Sequence, residues 1–458
     1  MGLTLEMAGR IAALQPQDFS EAALDIAQLG FMDTIATTFA GAAEDATLKV
    51  QAFARRRAVE ESAQCSLPWL PATMPVSMAA LVTGTAGHAL DYDDVALSGH
   101  PSTVIVPALL CEAAAQGLPG RTCLEAYVAG YEVWAELFRR EPHSLHAKGW
   151  HPTAFYGILA ATAALAYVRR LSAADIATAL ALAASFASGV VSNFGTMTKP
   201  LHAGRAASLA FEALEYAELG LTASHDALEH SSGFLNALSP SARAQRDLPL
   251  RQANDWALAE HGLCIKQYPV CYGAHRAIDG MIDLVRQYDF GLQDVAKVSV
   301  GLGPAQLAML RNIAPETGLE AKFSIQFAMA AALDQRNVGL AQLTDEYVQQ
   351  DRIQSFYPKV ESWCVDVPDP SDPTFSKYDL VEVTLTDGRR FTSEKVEYPR
   401  GHAAKPVGTE ALRAKFGDCL HRFNATCSGD VSALNIDALF GRVTALRDCK
   451  DMSQLLSA

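Results

Sequence analysis

Residues 176–198 read IATALALAASFASGVVSNFGTMT, 23 consecutive positions without a charged side chain. A run of that length meets the length test for a membrane span, so its reading decides between a membrane protein and a soluble helical one. Its content is mostly alanine, serine, glycine and threonine, with Asn193 near the end and few large aliphatic residues. Such a segment gains little from lipid, and it is expected to be a buried core helix. Working outward, Ser172 and Asp175 form a capping box ahead of it. Lys199-Pro200 interrupts the pattern, and a further helix is expected from about 203 to 219, closed by Gly220.

The rest of the chain agrees with a helical reading. Half of the 458 residues are hydrophobic, 19% are charged and only 8% are aromatic, which favours alanine-rich helix packing over a large β-sandwich. Length alone suggests two or three domains with ample core. The net charge of −14 argues against nucleic acid as a partner, since a duplex binder needs a basic face. An anionic substrate would require a local cationic pocket. Nine scattered cysteines without a CxxC pair suit a reducing compartment and no zinc-ribbon or iron–sulfur site. Glu6 and Arg10 stand where a secretory signal would be apolar, so the expected location is cytoplasmic, with no membrane partner.

Helical periodicity runs through 21–42, 78–90, 104–116, 123–138 and 153–168. The character changes near residue 265. AKVSVGLG (296–303) alternates like a strand, and LVEVTLTDGRRFTSEKV (380–396) is two β-runs around Asp387-Gly388, a hairpin turn signal. Helices are expected between them at 274–288 and 323–333, and helical pattern returns from 408. The predicted fold is mainly α: a large discontinuous all-helical domain, residues 1–265 and 405–458, with a smaller α+β domain inserted at 266–404. No internal repeat is visible.

Four motifs could carry chemistry. HALDYDDVALSGHPS (88–102) packs Asp91, Asp93, Asp94, His88 and His100 into an otherwise apolar region, and burying so many ionisable groups is costly unless they are paired or working. If the segment is helical, His88, Asp91 and Asp94 share a face, while Ser98-Gly99 turns the chain back to His100. The plainer alternative is that Asp91 and Asp94 cap helices. A magnesium, manganese or zinc site lacks support from an HExxH motif or a close histidine pair, so no metal ligands are expected. GWHPT (149–153) places His151 just before a helix opening at Pro152; a lone histidine there is more often structural.

NFGTMTKPLHAGRAA (193–207) sets Lys199, His202 and Arg205 three apart at a helix start, either a carboxylate cradle or a solvated turn. KQYPVCYGAHRAID (266–279) repeats the theme with Lys266, His275 and Arg276, and its Cys271 reads as a packed thiol. GLG at 301–303 lacks the third glycine of a dinucleotide loop, and neither a GxSxG elbow nor a P-loop is present.

These motifs, together with AKFSIQF (321–327), resemble in content and order those of the MmgE/PrpD family, which includes 2-methylcitrate dehydratase, cis-aconitate decarboxylase and iminodisuccinate epimerase. The resemblance spans nearly the whole chain. It implies a helical domain with an inserted α+β lid, a homodimer, and a cofactor-free active site. It maps the family's site to Asp91, His100, His151, Lys199 and Lys266, with the two lysines holding substrate carboxylates and the other three moving protons. The decarboxylase branch has threonine, histidine and tyrosine where this chain reads Val95, Cys271 and Phe327, which points away from cis-aconitate decarboxylation.

The chemistry shared across the family is removal of a proton beside a carboxylate. The expected activity is therefore a cofactor-free hydro-lyase on a small di- or tricarboxylate, similar to 2-methylcitrate dehydratase. The alternatives are an epimerase of an amino- or imino-dicarboxylate and, less favoured, a carboxylate-binding protein without catalysis.

Overall fold

The alanine- and valine-rich segment before His88 offers no polar stripe, and a helix apolar on all sides has to be surrounded. The computed structural model describes residues 2–57, 64–70, 72–141, 145–239, 242–370, 375–426 and 434–456. In it this segment is a helix, Val76–Ala89, buried along nearly its whole length. Helix makes up 58% of the structure and the strands are short, so the protein is mainly α.

This buried helix is one of nine helices among the described residues of the N-terminal half: α1 (Leu3–Ala13), α2 (Glu21–Gly41), α3 (Asp45–Arg55), α4 (Val76–Ala89), α5 (Ser102–Gln116), α6 (Gly120–Arg140), α7 (Pro152–Val168), α8 (Ala173–Phe186) and α9 (Thr198–Glu218). Ser20 and Ser172 cap α2 and α8 by accepting the amides of Ala23 and Asp175. Against α4 pack α2, α3, α5 and α9. One close crossing is that of α4 with α9, at Gly84 and Gly204. A Cβ on Gly204 would stand 2.2 Å from the Leu81 carbonyl oxygen, and one on Gly84 would stand 2.9 Å from Gly204 Cα. Only glycine permits backbones to approach so closely.

Two expectations need correction. The uncharged run 176–198 is not one helix: α8 stops at Phe186, a short 3₁₀ turn covers Val191–Asn193, and α9 begins at Thr198. Ser188, Gly189, Val190 and Val191 explain the break, because serine and glycine favour other backbone states and β-branched residues lose rotamers in a helix. Lys199-Pro200, conversely, does not interrupt a helix. Pro200 lies in the first turn of α9, where a backbone N–H has no intrahelical partner to lose. No described helix is long and apolar enough to cross a membrane.

The chain divides into two compact units, the first made of Met1–Ser192, Met197–Leu263 and Thr409–Ala458, the second of Asn193–Thr196 and Cys264–Gly408. The second contains α10 (His275–Tyr288), α11 (Ile325–Gln335) and strands β1 (Val295–Leu302), β2 (Val360–Cys364), β3 (Leu380–Leu385) and β4 (Arg390–Thr392). The sheet order is β2-β1-β3-β4, with β1 parallel to β2 and antiparallel to β3. The β3–β4 hairpin turns at Asp387-Gly388, where Gly388 takes φ +89°. Within the first unit the chain closes with α12 (Thr409–Thr426) and α13 (Ile436–Thr444); Phe423 on α12 packs edge-on to Phe39 on α2, ring centroids 4.9 Å apart.

Candidate active site

The acidic stretch after α4 is a strained loop rather than a continued helix. α4 ends at Ala89, and Asp91, Leu97 and Ser98 adopt left-handed backbone with φ +50°, +45° and +67°. His88, Asp91 and Asp94 therefore do not share a helical face. Left-handed backbone costs a non-glycine residue about 1–2 kcal/mol, so this loop persists only because its surroundings fix it. Ala96 and Gly99 exchange two backbone hydrogen bonds of 2.9 and 3.0 Å, which closes the turn that returns His100. Trp134 Nε1 donates to the Leu97 carbonyl at 3.1 Å, and the His100 amide donates to Thr153 Oγ1 at 3.2 Å.

The crossing at Gly84 and Gly204 delivers Lys199 to this loop, because residues later on α4 meet residues earlier on α9. Lys199 Nζ donates to Asp91 Oδ1 and to His88 Nε2, both at 3.0 Å. His88 Nδ1 faces both Asp93 oxygens at 2.9 Å. Since Nε2 accepts from the ammonium, the His88 proton sits on Nδ1 and is donated to Asp93. His100 stands between the two acids, Nε2 at 3.7 Å from Asp91 Oδ1 and Nδ1 at 3.0 Å from Asp93 Oδ2, the latter angled too far for a hydrogen bond. The result is an alternating chain of carboxylate, imidazole, ammonium and carboxylate.

Two more imidazoles extend the cluster. The His151 ring stacks on His88 at 5.8 Å, and its Nδ1 lies 3.2 Å from His202 Nδ1. His100 is the most exposed of the inner groups at 9%, against 5% for Lys199, 4% for Asp91 and 1% for His88 and His151. Ligand atoms of His88, Asp91, Asp93 and His100 lie within 4.8 Å of one another, a spacing that would suit a metal ion. Lys199 donates to two of these groups and supplies a protein cation at that place. The close histidine pair that the sequence did not reveal is made by the fold, His88 and His100 having ring centroids 4.5 Å apart.

Burial and the Lys199 charge lower the pKa of the His88, His146, His151 and His202 imidazoles. His88 is pushed down to about 4, by burial first and then by Lys199 and His100 against the opposing pull of Asp93. His146 falls to about 3 through burial, His100 and Lys199, and His202 to about 4 through burial and Lys199. His151 is held well below the usual range for the same reasons. Burial would raise the Asp93 carboxyl, but His88 and His100 overcome it and hold it well below the ordinary range. Asp94 is raised well above that range by burial and by Asp33. These directions make Asp93 ionised and His88 neutral at pH 7 and disfavour the ionised form of Asp94. A testable consequence is that the ring carbons of His88 and His146, followed by NMR, should show no titration between pH 5.5 and 8, about a unit or more above their midpoints.

The structure brings five expected site residues together in the first unit: Asp91, His100, His151, Lys199 and His202. Arg205 is exposed and outside the cluster. Six residues past Lys199 on a 3.6-residue helix, it lies about 120° around from that face, so equal spacing of three did not mean one direction. Lys266 and His275 belong to the second unit, where both are fully buried and His275 Nε2 lies 3.2 Å from the Val270 carbonyl. There Arg276 is committed to Asp379, 2.8 Å away. Sequence reasoning assigned no role to His88 and Asp93, which form the centre of the cluster, and it passed over His146.

The chain matches the MmgE/PrpD N-terminal domain over residues 5–247 and the MmgE/PrpD C-terminal domain over 268–431. It belongs to the MmgE/PrpD family. Among its curated relatives, the cis-aconitate decarboxylase of Mus musculus is 27% identical over 475 residues, covering 99% of this chain and 93% of the relative. The cis-aconitate decarboxylase of Homo sapiens is 29% identical over 396 residues, covering 83% of this chain and 79% of the relative. A cis-aconitate decarboxylase-like protein of Aspergillus oryzae is 23% identical and covers 99% and 96%. The likeness is thus to lyase-type enzymes, the class that includes decarboxylases.

Proposed function

We propose that this protein is a cofactor-free lyase that removes a proton beside a carboxylate of a small di- or tricarboxylic acid, in a hydro-lyase reaction similar to that of 2-methylcitrate dehydratase. The observation that carries this reading is the Lys199 ammonium set between Asp91 and neutral His88, with His100 and His151 alongside. A neutral imidazole accepts the carbon-bound proton, and the ammonium stabilises negative charge developing on the adjacent carboxylate oxygens. The departing hydroxyl takes up a proton from a second acid and leaves as water, with a carbon–carbon double bond left behind. His100 suits proton handling because Asp91 and Asp93 flank it: with His100 protonated, two carboxylates balance two cations.

A second reading is decarboxylation, favoured by the names of the relatives. There the carboxylate leaves as carbon dioxide, and the carbanion takes its proton from the same imidazoles. Val95, Cys271 and Phe327 stand against it.

The test is an assay of 2-methylcitrate, citrate, cis-aconitate and an amino-dicarboxylate in heavy water, following proton exchange, ultraviolet absorbance of a new double bond, and carbon dioxide. The hydro-lyase reading expects new absorbance without carbon dioxide. Carbon dioxide from cis-aconitate would replace it with the relatives' activity, and exchange without new absorbance would replace it with epimerisation. Saturable binding without any turnover would leave a binding protein.

A further inference from the structure

Behind the acidic loop lies a second layer of buried charge that the chemistry above does not use. Lys415, on α12, is 5% exposed and reaches into the first unit. Its Nζ lies 2.6 Å from Asp33 Oδ1 on α2 and donates to the Tyr92 carbonyl at 2.7 Å, while the ammonium sits 4.1 Å from the centre of the Tyr92 ring. Tyr92 is the residue between Asp91, whose backbone is left-handed, and Asp93, which holds His88 and His100. Two further features tie this layer to the loop. Asp94 accepts from Ser102 Oγ, which is bonded at 2.6 Å to the Tyr127 hydroxyl. Asp33 Oδ2 and Asp94 Oδ1 are both buried with no hydrogen-bond partner among the described residues.

We propose that Lys415 is a positioning residue: it fixes the Tyr92 carbonyl and thereby the directions of Asp91 and Asp93, with Asp33 as its counter-charge. The geometry supports this over simple anchorage, because a long-range charge pair would not need to bond the Tyr92 carbonyl, which lies between the two acids. Asp94 is next in sequence to Asp93, and burial together with the Asp33 charge disfavours its ionised form.

The inference rests on the reading of Asp91, Asp93 and His100 as reacting groups, and the experiment separates the two. Lys415→Met alone leaves the Asp33 charge buried without a partner and is expected to lower the melting temperature sharply. The double variant Lys415→Met/Asp33→Asn removes both charges and should recover most of that stability. Its kcat is expected to stay about 10- to 100-fold below wild type with KM within about 2-fold, the pattern of misplaced catalytic groups with intact binding. Lys415→Arg should restore part of kcat. Independently of any substrate, the ring-carbon NMR signals of His88 and His100 in the ligand-free double variant should be displaced from their wild-type positions. A double variant with wild-type kcat and undisplaced His88 and His100 signals overturns the proposal. Displaced signals in a protein whose wild type turns over no acid would uphold Lys415 as the positioning residue and remove the lyase reading instead.

Discussion

Lys199→Met is expected to lower kcat/KM by about 10²–10³-fold, the range seen when one preorganised charge-stabilising group is removed from an active site. The ammonium is bonded to both Asp91 and His88, so its loss takes the positive charge from between them. The substitution also removes the ammonium from a buried ion pair with Asp91, a change that costs on the order of 3–5 kcal/mol. Lys199→Met/Asp91→Asn should recover stability without recovering activity, which separates folding from catalysis. The histidines supply a second readout. Lys199 lowers His88, His146, His151 and His202, so its removal must raise all four towards 6.5. A base whose folded midpoint lies below its unfolded one stabilises the fold above the unfolded value and loses that contribution as pH falls through the window to the folded value. For His88 that window runs from 6.5 down to about 4 in the wild type, and it narrows in the variant. The acid limb of any residual rate should therefore move to higher pH. A kcat/KM within 5-fold of wild type, or unmoved histidine titrations, would refute the assignment of Lys199.

How far the sequence carried is best judged at individual residues. Periodicity located the helices and the 380–396 hairpin because one face of each is apolar at a fixed period. It missed β2, where Val360 is buried and Glu361, Ser362, Trp363 and Cys364 are exposed, since a strand with one inward residue shows no alternation. Lys199 and His100 were legible as charges in an apolar context. His88 and Asp93 were present in the same stretch, yet their partnership depends on a left-handed Asp91 that reverses the loop, and nothing local in Leu90-Asp91-Tyr92 encodes that conformation. It is held by contacts distant in the chain, from Trp134, Thr153 and Lys415. Lys415 itself reads as one more exposed helical lysine until α12 is packed. Long-range anchors of a strained loop leave no periodic mark, which is why the site's outer residues could be named while its centre could not.

Gly204→Ala tests the crossing on which this arrangement depends. The added Cβ would lie 2.2 Å from the Leu81 carbonyl oxygen, 2.4 Å from Thr85 Oγ1 and 2.9 Å from the Thr85 amide. Two of those atoms are backbone of a helix buried on all sides, so relief requires α4 and α9 to move apart rather than a side chain to turn. Overpacking of this kind costs about 1–3 kcal/mol or somewhat more, and the expected loss lies at the upper end. The displacement falls where function is set: Lys199 is a turn and a half before Gly204 on α9, and His88 is one turn beyond Gly84 on α4. Separating the helices stretches the 3.0 Å contact between Lys199 and His88. Activity per folded molecule should therefore fall along with stability. Gly441→Ala provides the control. Gly441 is exposed within α13 and a Cβ there meets nothing within 4 Å, so the same change should stabilise the helix by about 0.5–1 kcal/mol. Opposite signs for one chemical change, read as denaturant midpoints with kcat measured on each variant, identify the α4–α9 contact as what sets the Lys199–His88 distance. A Gly204→Ala protein with wild-type midpoint and kcat would show that the two helices can part without cost, and that the loop finds Lys199 by some other constraint.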